Sequence, residues 1–424
     1  MTLKSITLLS LVIASQSYAL HDYRCSEKSL CEEHSSLNVN SLQEAFSNAK
    51  VNGHIRLAYI NQENAASNDT YATALGGELK FETARYYHTS IAISTYISQK
   101  VNGLSGTVGG DLNPDFFDAN GDSIAYLGEA YIDYNYHKFD IRIGRQQLDT
   151  PLNDRDDIRM LPNTFEAVTV GYGGIKDFVF MAGYITRWAG YDSGDDISKF
   201  KPMPGVIDAT GKKGDYVTLA GVMNESIKNL ELQMWYYGFD KLSDVVYGDG
   251  IYSSKAKSIT YEVGVQLSHY FERSSSQVDG SVYGGTLSLG YKGLSVAGAF
   301  NRAHTTKDKS IILGYGGGPY YTSMEEMTIA EISDVKAYVL SFGTDLSRIG
   351  VAGLEFSYAY GHFDGTANSS DIRYKENDFV FSYEVNEKTD MELSYADVKD
   401  EENSGINDTS YNRILFRANY SFGK

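Results

Sequence analysis

Ile259-Thr260-Tyr261-Glu262-Val263-Gly264-Val265-Gln266-Leu267 sets the period of this chain. In an extended strand successive side chains point to opposite sides, so Ile259, Tyr261, Val263, Val265 and Leu267 share one face. The pattern recurs. Ile55, Leu57 and Tyr59 alternate with His54, Arg56 and Ala58, and Leu230, Leu232, Met234 and Tyr236 alternate with Glu231, Gln233 and Trp235. At the carboxyl end Asn412, Ile414, Phe416, Ala418, Tyr420 and Phe422 oppose Arg413, Leu415, Arg417 and Asn419. Each run is about ten residues long, the length a tilted strand needs to cross a bilayer.

Composition points the same way. The chain has 34 Tyr, 19 Phe and 41 Gly but only 2 Trp, with few long aliphatic runs. A soluble core for a chain of this length needs more densely placed Leu, Ile and Val, whereas this mixture suits a sheet wet on one face and greasy on the other. No segment after the amino terminus reaches the roughly 18 consecutive apolar residues of a membrane-spanning helix. A net charge of −18 excludes nucleic acid as a partner, since binding a phosphate backbone requires the opposite sign.

The amino terminus reads as a targeting segment: Lys4, an apolar stretch from Ile6 to Ala14, and Ser17-Tyr18-Ala19 as a small-residue cleavage site. Residues 1–19 are thus a signal peptide, and the mature chain begins at Leu20. Cys25 and Cys31 follow closely, and in an exported protein a local disulfide between them is the first expectation. Their spacing matches no metal or haem motif. Residues 20–50 form a periplasmic lead-in, with Ser41 and Glu44 marking the start of a short helix.

Residues 51–424 carry the alternation, and the connections between runs alternate in length. Short ones include Asn135-Tyr136-His137-Lys138, Gly173-Gly174-Ile175-Lys176, Glu225-Ser226-Ile227-Lys228 and Lys292-Gly293. Long polar ones fall near 100–123, 148–165, 188–214 and 303–333. Short turns at one rim and long loops at the other are the signature of an outer-membrane barrel, and pairing each run with its turn gives eighteen strands from Val51 to Phe422. The fold class expected is all-β, a transmembrane antiparallel β-barrel. No internal repeat of fixed period supports a propeller or a β-helix.

Between Gly144 and Val170 the alternation fails. Asp149-Thr150-Pro151-Leu152-Asn153-Asp154-Arg155-Asp156-Asp157-Ile158-Arg159 is charged, and Pro151 and Pro162 bracket it. This segment resembles the OprD-like porins of Gram-negative outer membranes, especially the major porins of epsilon-class proteobacteria. The resemblance rests on Gly144-x-Gln146-x-Leu148-x-Thr150-Pro151-Leu152 and on Asp156-Asp157-Ile158-Arg159-Met160-Leu161-Pro162-x-x-Phe165. Leu42-x-Glu44-Ala45-Phe46 with Val51-x-Gly53-x-Ile55-Arg56-x-x-Tyr59, and Gly316-Gly317-Gly318-Pro319-Tyr320-Tyr321-Thr322-Ser323-Met324-Glu325-Glu326, look similar to two further family segments. The resemblance implies an eighteen-stranded porin, commonly a homotrimer, whose third extracellular loop folds into the lumen. One departure is the terminus, where Gly423 and Lys424 follow the aromatic Phe422.

The expected constriction loop carries Asp149, Asp154, Arg155, Asp156, Asp157 and Arg159. Closure makes the first and last strands neighbours, so Arg56, Arg413 and Arg417 gather on one lumen wall, and Arg142 shares the lumen parity. An acidic loop across from a basic wall sets selectivity by focusing charge in a narrow aqueous path. Three alternatives stand beside this. Arg413 and Arg417 pair structurally with lumen carboxylates such as Glu231. The loop aspartates lie outside, where Asp154, Asp156 and Asp157 hold Ca²⁺ and bridge to lipopolysaccharide. Glu325 and Glu326, a candidate second lumen loop, are solvated loop charges.

The function expected is a passive diffusion channel for ions and small hydrophilic solutes, without a resident cofactor, the alternative being a channel that prefers small carboxylates or amino acids. A barrel hydrolase is disfavoured, because eight His supply no recognisable nucleophile–base arrangement in the loops.

Overall fold

The first and last strands pair, and that pairing closes the sheet: Gly53 lies opposite Phe422 and Asn64 opposite Tyr411, with ten further pairs between them. The computed structural model describes residues 38–423, apart from 195, 204–213, 307 and 368–369. The signal peptide and the pair Cys25 and Cys31 lie outside the described residues.

Eighteen strands build the barrel. They are β1 (Lys50–Asn64), β2 (Thr70–Glu82), β3 (Thr89–Lys100), β4 (Ile124–Tyr136), β5 (Phe139–Gln146) and β6 (Thr164–Tyr172). Then come β7 (Phe178–Ala189), β8 (Val217–Ile227), β9 (Leu230–Phe239), β10 (Ser243–Ala256), β11 (Ile259–Glu272) and β12 (Gly280–Tyr291). The last six are β13 (Leu294–His304), β14 (Ser333–Asp345), β15 (Leu354–Ala367), β16 (Ser370–Asn386), β17 (Thr389–Asp400) and β18 (Tyr411–Phe422). Each pairs antiparallel with its sequence neighbours. Most turns at the periplasmic rim are tight, and His137, Asn229, Lys257 and Lys292 take left-handed φ in two-residue hairpins whose twist matches the strands they join.

Four long loops leave the other rim at 101–123, 147–163, 190–216 and 305–332, here L2, L3, L4 and L7. The charged segment was expected to run to 165, but Thr164 and Phe165 already pair with Ala189 and Trp188. The ladder therefore continues past the point where alternation becomes readable.

The two faces of the wall divide as the alternation requires. Leu267, Leu340 and Val265 stand 66%, 65% and 60% exposed on the outer face, a cost in water and a gain in a bilayer. The inner face carries Arg56, Ser98, Glu129, Asp133, Gln233 and Ser288, all buried inside the barrel.

The upper lumen is packed rather than empty. Trp188, Trp235, Tyr237, Phe239, Tyr247 and Tyr270 of the wall form one apolar cluster with Leu152 of L3 and with Tyr315 and Tyr320 of L7. Ala58, Ile60, Ala72 and Tyr96 form a second with Phe116 and Phe117 of L2 and with Met160 and Leu161 of L3.

Before the barrel, helix α1 (Leu42–Ser47) starts at Ser41, whose Oγ accepts from the Glu44 amide at 3.2 Å. The Glu44 carboxylate reaches back to the Asn40 amide at 3.0 Å, satisfying a second free donor. Asn38 and Val39 pair in parallel with Arg85 and Tyr86, which ties the lead-in to the periplasmic turn after β2.

Replacing Leu340 with Arg should cost about 2–4 kcal/mol in urea unfolding of protein refolded into lipid vesicles, because the new charge faces hydrocarbon. A change near zero would mean that this face meets water.

Candidate functional site

L3 enters the lumen at Gly144, where φ is +129° and an added Cβ would lie 2.1 Å from the Ala130 carbonyl oxygen. Only glycine allows β4 and β5 to approach so closely as the chain turns inward. A two-residue ladder follows, Asp149 opposite Asp154 and Thr150 opposite Asn153, with Pro151 and Leu152 at its tip. Proline there sets the φ that the turn needs. Leu152 is fully buried; its amide donates to the Tyr237 hydroxyl at 3.3 Å and its carbonyl accepts from the Tyr315 amide at 2.9 Å. The Asp154 amide donates to the Tyr315 carbonyl at 3.0 Å. L3 and L7 are thus joined backbone to backbone.

Beyond this ladder L3 crosses to the opposite wall. Arg56 of β1 grips Asp157 with both terminal nitrogens, at 2.6 and 2.8 Å, and donates to the carbonyls of Arg159 and Met160 at 2.8 and 3.2 Å. Its Nε donates to Asn419 Oδ1 at 2.7 Å. Arg417 donates to the Asp157 carbonyl and pairs with Glu392 at 2.5 Å. Arg413 donates to Gln62 at 3.0 Å and pairs with Glu326 of L7 at 2.5 Å. Arg159 bridges Asp115 of L2 and Glu326, both at 3.3 Å, with Tyr191 of L4 under its guanidinium at 4.8 Å. Four loops therefore converge on one basic wall.

L7 is held from the other side by buried polar groups. Gln266 donates to the Pro319 carbonyl at 2.8 Å and accepts from the Tyr321 amide at 2.8 Å. The Tyr320 hydroxyl meets Ser268 at 2.9 Å and Tyr270 at 2.6 Å, and Glu376 accepts from the amides of Glu326 and Met327 at 2.9 and 2.8 Å.

Several sequence-level expectations change. The acidic loop does not stand across from the basic wall; Asp157 is docked on it. Arg413 and Arg417 do pair with carboxylates, but with Glu326 and Glu392 and not with Glu231. Glu325 and Glu326 are not solvated, since both lie inside the barrel, and Glu326 is 8% exposed. The loop aspartates are not on the outer surface. Asp154, Asp156 and Asp157 do not converge either: Asp157 faces Arg56, and among the described residues no three His, Cys, Asp or Glu are set to hold a metal ion. Arg155 pairs with Asp149 at 3.3 Å. Arg142 does face the lumen, away from L3, donating to Asp133 at 3.2 Å over the Tyr131 ring.

Asp115, Tyr191, Asp192, Glu376, Asp378 and Glu392 were missed. Glu392 has lumen parity between Met391 and Leu393 and was readable in the same way as Arg417. Asp115 and Asp192 sit in loops without period, and nothing in the sequence singles them out.

Burial in the loop core separates the L3 carboxyls. Burial would raise Asp157, but the charge and hydrogen bonds of Arg56 together with the charge of Arg417 hold it below the ordinary carboxylate range. Burial pushes Asp154 up to about 8, with Asp192 and Asp149 adding repulsion. Asp156 and Asp192 are raised for the same first reason. Asp154 Oδ1 accepts from the Asp156 amide at 2.8 Å and the Gly317 amide at 3.4 Å, so this carboxyl sits at the L3–L7 junction.

The docked loop binds the Asp154 proton more tightly than an undocked carboxyl does, so docking is favoured at low pH and weakened as pH rises through about 8. Single-channel recordings should show L3 noise and mean current increasing between pH 6 and pH 9, and Asp154→Asn should measurably reduce that dependence, the remainder coming from Asp156 and Asp192. Equal pH profiles for the two proteins would rule out this origin.

A profile of outer membrane porins of the OprD family matches residues 46–422. Solved structures share the fold at low identity. Pseudomonas aeruginosa OpdK with vanillate is 16% identical, over 89% of this chain and 99% of that one, at a TM-score of 0.75. A BenF-like porin from Pseudomonas fluorescens Pf-5 is 15% identical, over 89% and 100%, at 0.76. Pseudomonas aeruginosa OccD3 (OpdP) is 15% identical, over 89% and 92%, at 0.74. No curated protein sequence matches the chain. With its closed eighteen-stranded barrel and a family match over most of its length, the chain belongs to the OprD family of outer membrane porins, transport channels of the bacterial outer membrane rather than enzymes.

Proposed function

We propose that this porin passes small hydrophilic solutes passively and prefers cations. One observation carries the reading: the arginines of the wall are already neutralised by the chain's own loops and strands. The side chains of Arg56, Arg159, Arg413 and Arg417 are 5%, 3%, 11% and 14% exposed, each against a carboxylate. Lys80 and Arg85 are likewise paired, with Glu129 at 2.7 Å and Asp133 at 2.5 Å. Among the described residues, Asp154, Asp156, Asp192, Glu325 and Asp378 have no such cation in contact. Where these carboxyls ionise, above about pH 8 for Asp154, a lumen whose fixed cations are cancelled and whose surplus is carboxylate presents a negative potential, and low-dielectric walls focus it.

A second reading, preference for small carboxylates or amino acids, is favoured by Arg142. Its side chain is 33% exposed on a lumen-facing position, and among the described residues only its Nε donates a hydrogen bond, to Asp133, with the guanidinium over the Tyr131 ring. A planar guanidinium with free donors is suited to a carboxylate. This reading includes homotrimeric assembly in a lipopolysaccharide-bearing leaflet, on the strength of the family resemblance.

In planar bilayers at pH 9 under a KCl gradient, the reversal potential should favour K⁺ over Cl⁻ by roughly threefold or more, about one kT of lumen potential. An anion-selective current would overturn the first reading. For the second, added benzoate should reduce current through the wild type and not through Arg142→Gln; equal block of both would exclude Arg142 as the contact.

A further inference from the structure

The outer face of the wall holds charge at an unusual height. On β13, β14 and β17 the first outward charged residues are Arg302, Lys336 and Asp397, eight or nine positions above the periplasmic end of the strand. On β10 it is Asp244, twelve positions up. On β5 and β6 it is Arg145 and Glu166, only six positions above Phe139 and Tyr172. At a strand rise of about 3.3 Å per residue this places charge roughly 5 Å or more deeper than elsewhere on the wall.

Arg145 and Glu166 have the parity of the outward Ile143 and Val168, and they are opposite each other in the ladder, with Glu166 also opposite Arg187. Arg145 Nε meets Glu166 at 3.0 Å, and Arg187 stands 3.9 Å from the same carboxylate with its side chain 53% exposed. Two guanidiniums around one carboxylate leave a local positive charge on a chain whose net charge is −18. Below them lies a groove of about 490 Å³, floored by Leu127, Ala130, Ile143, Val168 and Tyr184. Two bulges flank it. Gly128 has no partner between the Ser94–Glu129 and Thr95–Leu127 pairs, and Thr186 has none between Arg187 and Ile185. Such bulges bend a strand and let the wall recede.

We propose that this groove on the outer face of β4 to β7 binds a phosphorylated, acylated glycolipid of the outer leaflet. Arg145 and Arg187 take a phosphate, and an acyl chain fills the apolar floor. The proposal rests on the reading of the chain as a porin in a lipopolysaccharide-bearing leaflet. Charge complementarity selects this occupant, because guanidiniums match phosphate with paired donors and an anionic headgroup neutralises the surplus that hydrocarbon cannot. A concave slot lined by aliphatic side chains and one ring fits a single chain better than the convex wall of a second barrel.

The test uses the full chain purified from outer membranes in mild detergent, with native mass spectrometry reading retained glycolipid and bisphosphorylated lipid A in nanodiscs as the rebinding probe. Arg145→Gln with Glu166→Gln and Arg187→Gln removes the charges at nearly constant shape. Val168→Trp fills the floor and leaves the charges in place. Both variants should retain roughly tenfold less lipid than the wild type, at unchanged single-channel conductance and unchanged heat-modifiability on gels. Equal retention by all three proteins, or none by the wild type, would overturn the proposal. So would a change of oligomeric mass with lipid retained, which would assign the face to a second copy. Conductance reports on the porin reading separately, so the two ideas fail distinguishably.

Discussion

The grip of Arg56 on Asp157 is the contact on which the interior depends. It joins the first barrel strand to a loop 101 positions away, with the Arg56 side chain 5% exposed and that of Asp157 32% exposed. An ion pair of this kind adds little net stability over an apolar substitute, but removing Asp157 leaves the charge of the buried Arg56 uncompensated. Its role is therefore positional. Arg56 also holds the carbonyls of Arg159 and Met160, which aims Arg159 at Asp115 and Glu326 and places Met160 and Leu161 in the apolar cluster under β1, β2 and β18. L3 is consequently a beam with two footings, Leu152 on the aromatic wall and Met160 on the other side.

L7 makes the beam rigid. Its glycines allow Tyr315 to pair with Leu152 and Asp154, and Gly316 leaves room for the Asp154 carboxylate, which an added Cβ would meet at 2.4 Å. The remainder of L7 is fastened by Gln266, Tyr270, Asn301 and Glu376, groups that must be fully bonded because each lies out of contact with water. Buried polar networks fix one geometry, whereas an apolar contact alone would permit sliding. A porin with two inward loops needs that constraint, since each loop uses the other as part of its floor.

Much of this was legible in the sequence. A period of two assigns Arg56, Arg413 and Arg417 to the face opposite Ile55, Ile414 and Phe416. Sequential antiparallel pairing then makes the ends neighbours, and the ladder sets Arg56 opposite Asn419 and Ala58 opposite Arg417. Partner choice was not legible. Asp154, Asp156 and Asp157 are chemically alike and nearly adjacent, yet one is an ion-pair anion and another is held close to neutral. The difference arises from the height at which each meets the wall and from residues contributed by L4 and L7, far away in the chain. Local pattern carries facing; it does not carry the fold of a loop whose contacts are all long-range.

The same remoteness bears on selectivity. An arginine row inside a porin reads as an anion track only while its donors are free, and freedom is decided by the loops rather than by the strands that bear the row. Here Asp157 of L3 and Glu326 of L7 occupy Arg56 and Arg413, and Arg417 is shared between the Asp157 carbonyl and Glu392 of β17, converting a basic wall into a mount for acidic loops. Arg142 escapes because it lies below L3 and shares Asp133 with Arg85. Two barrels with the same basic wall can thus differ in the sign of their current through loop carboxylates alone. Loops lie outside the ladder that keeps the wall residues in place, so selectivity in such a barrel can shift while the wall itself is unchanged.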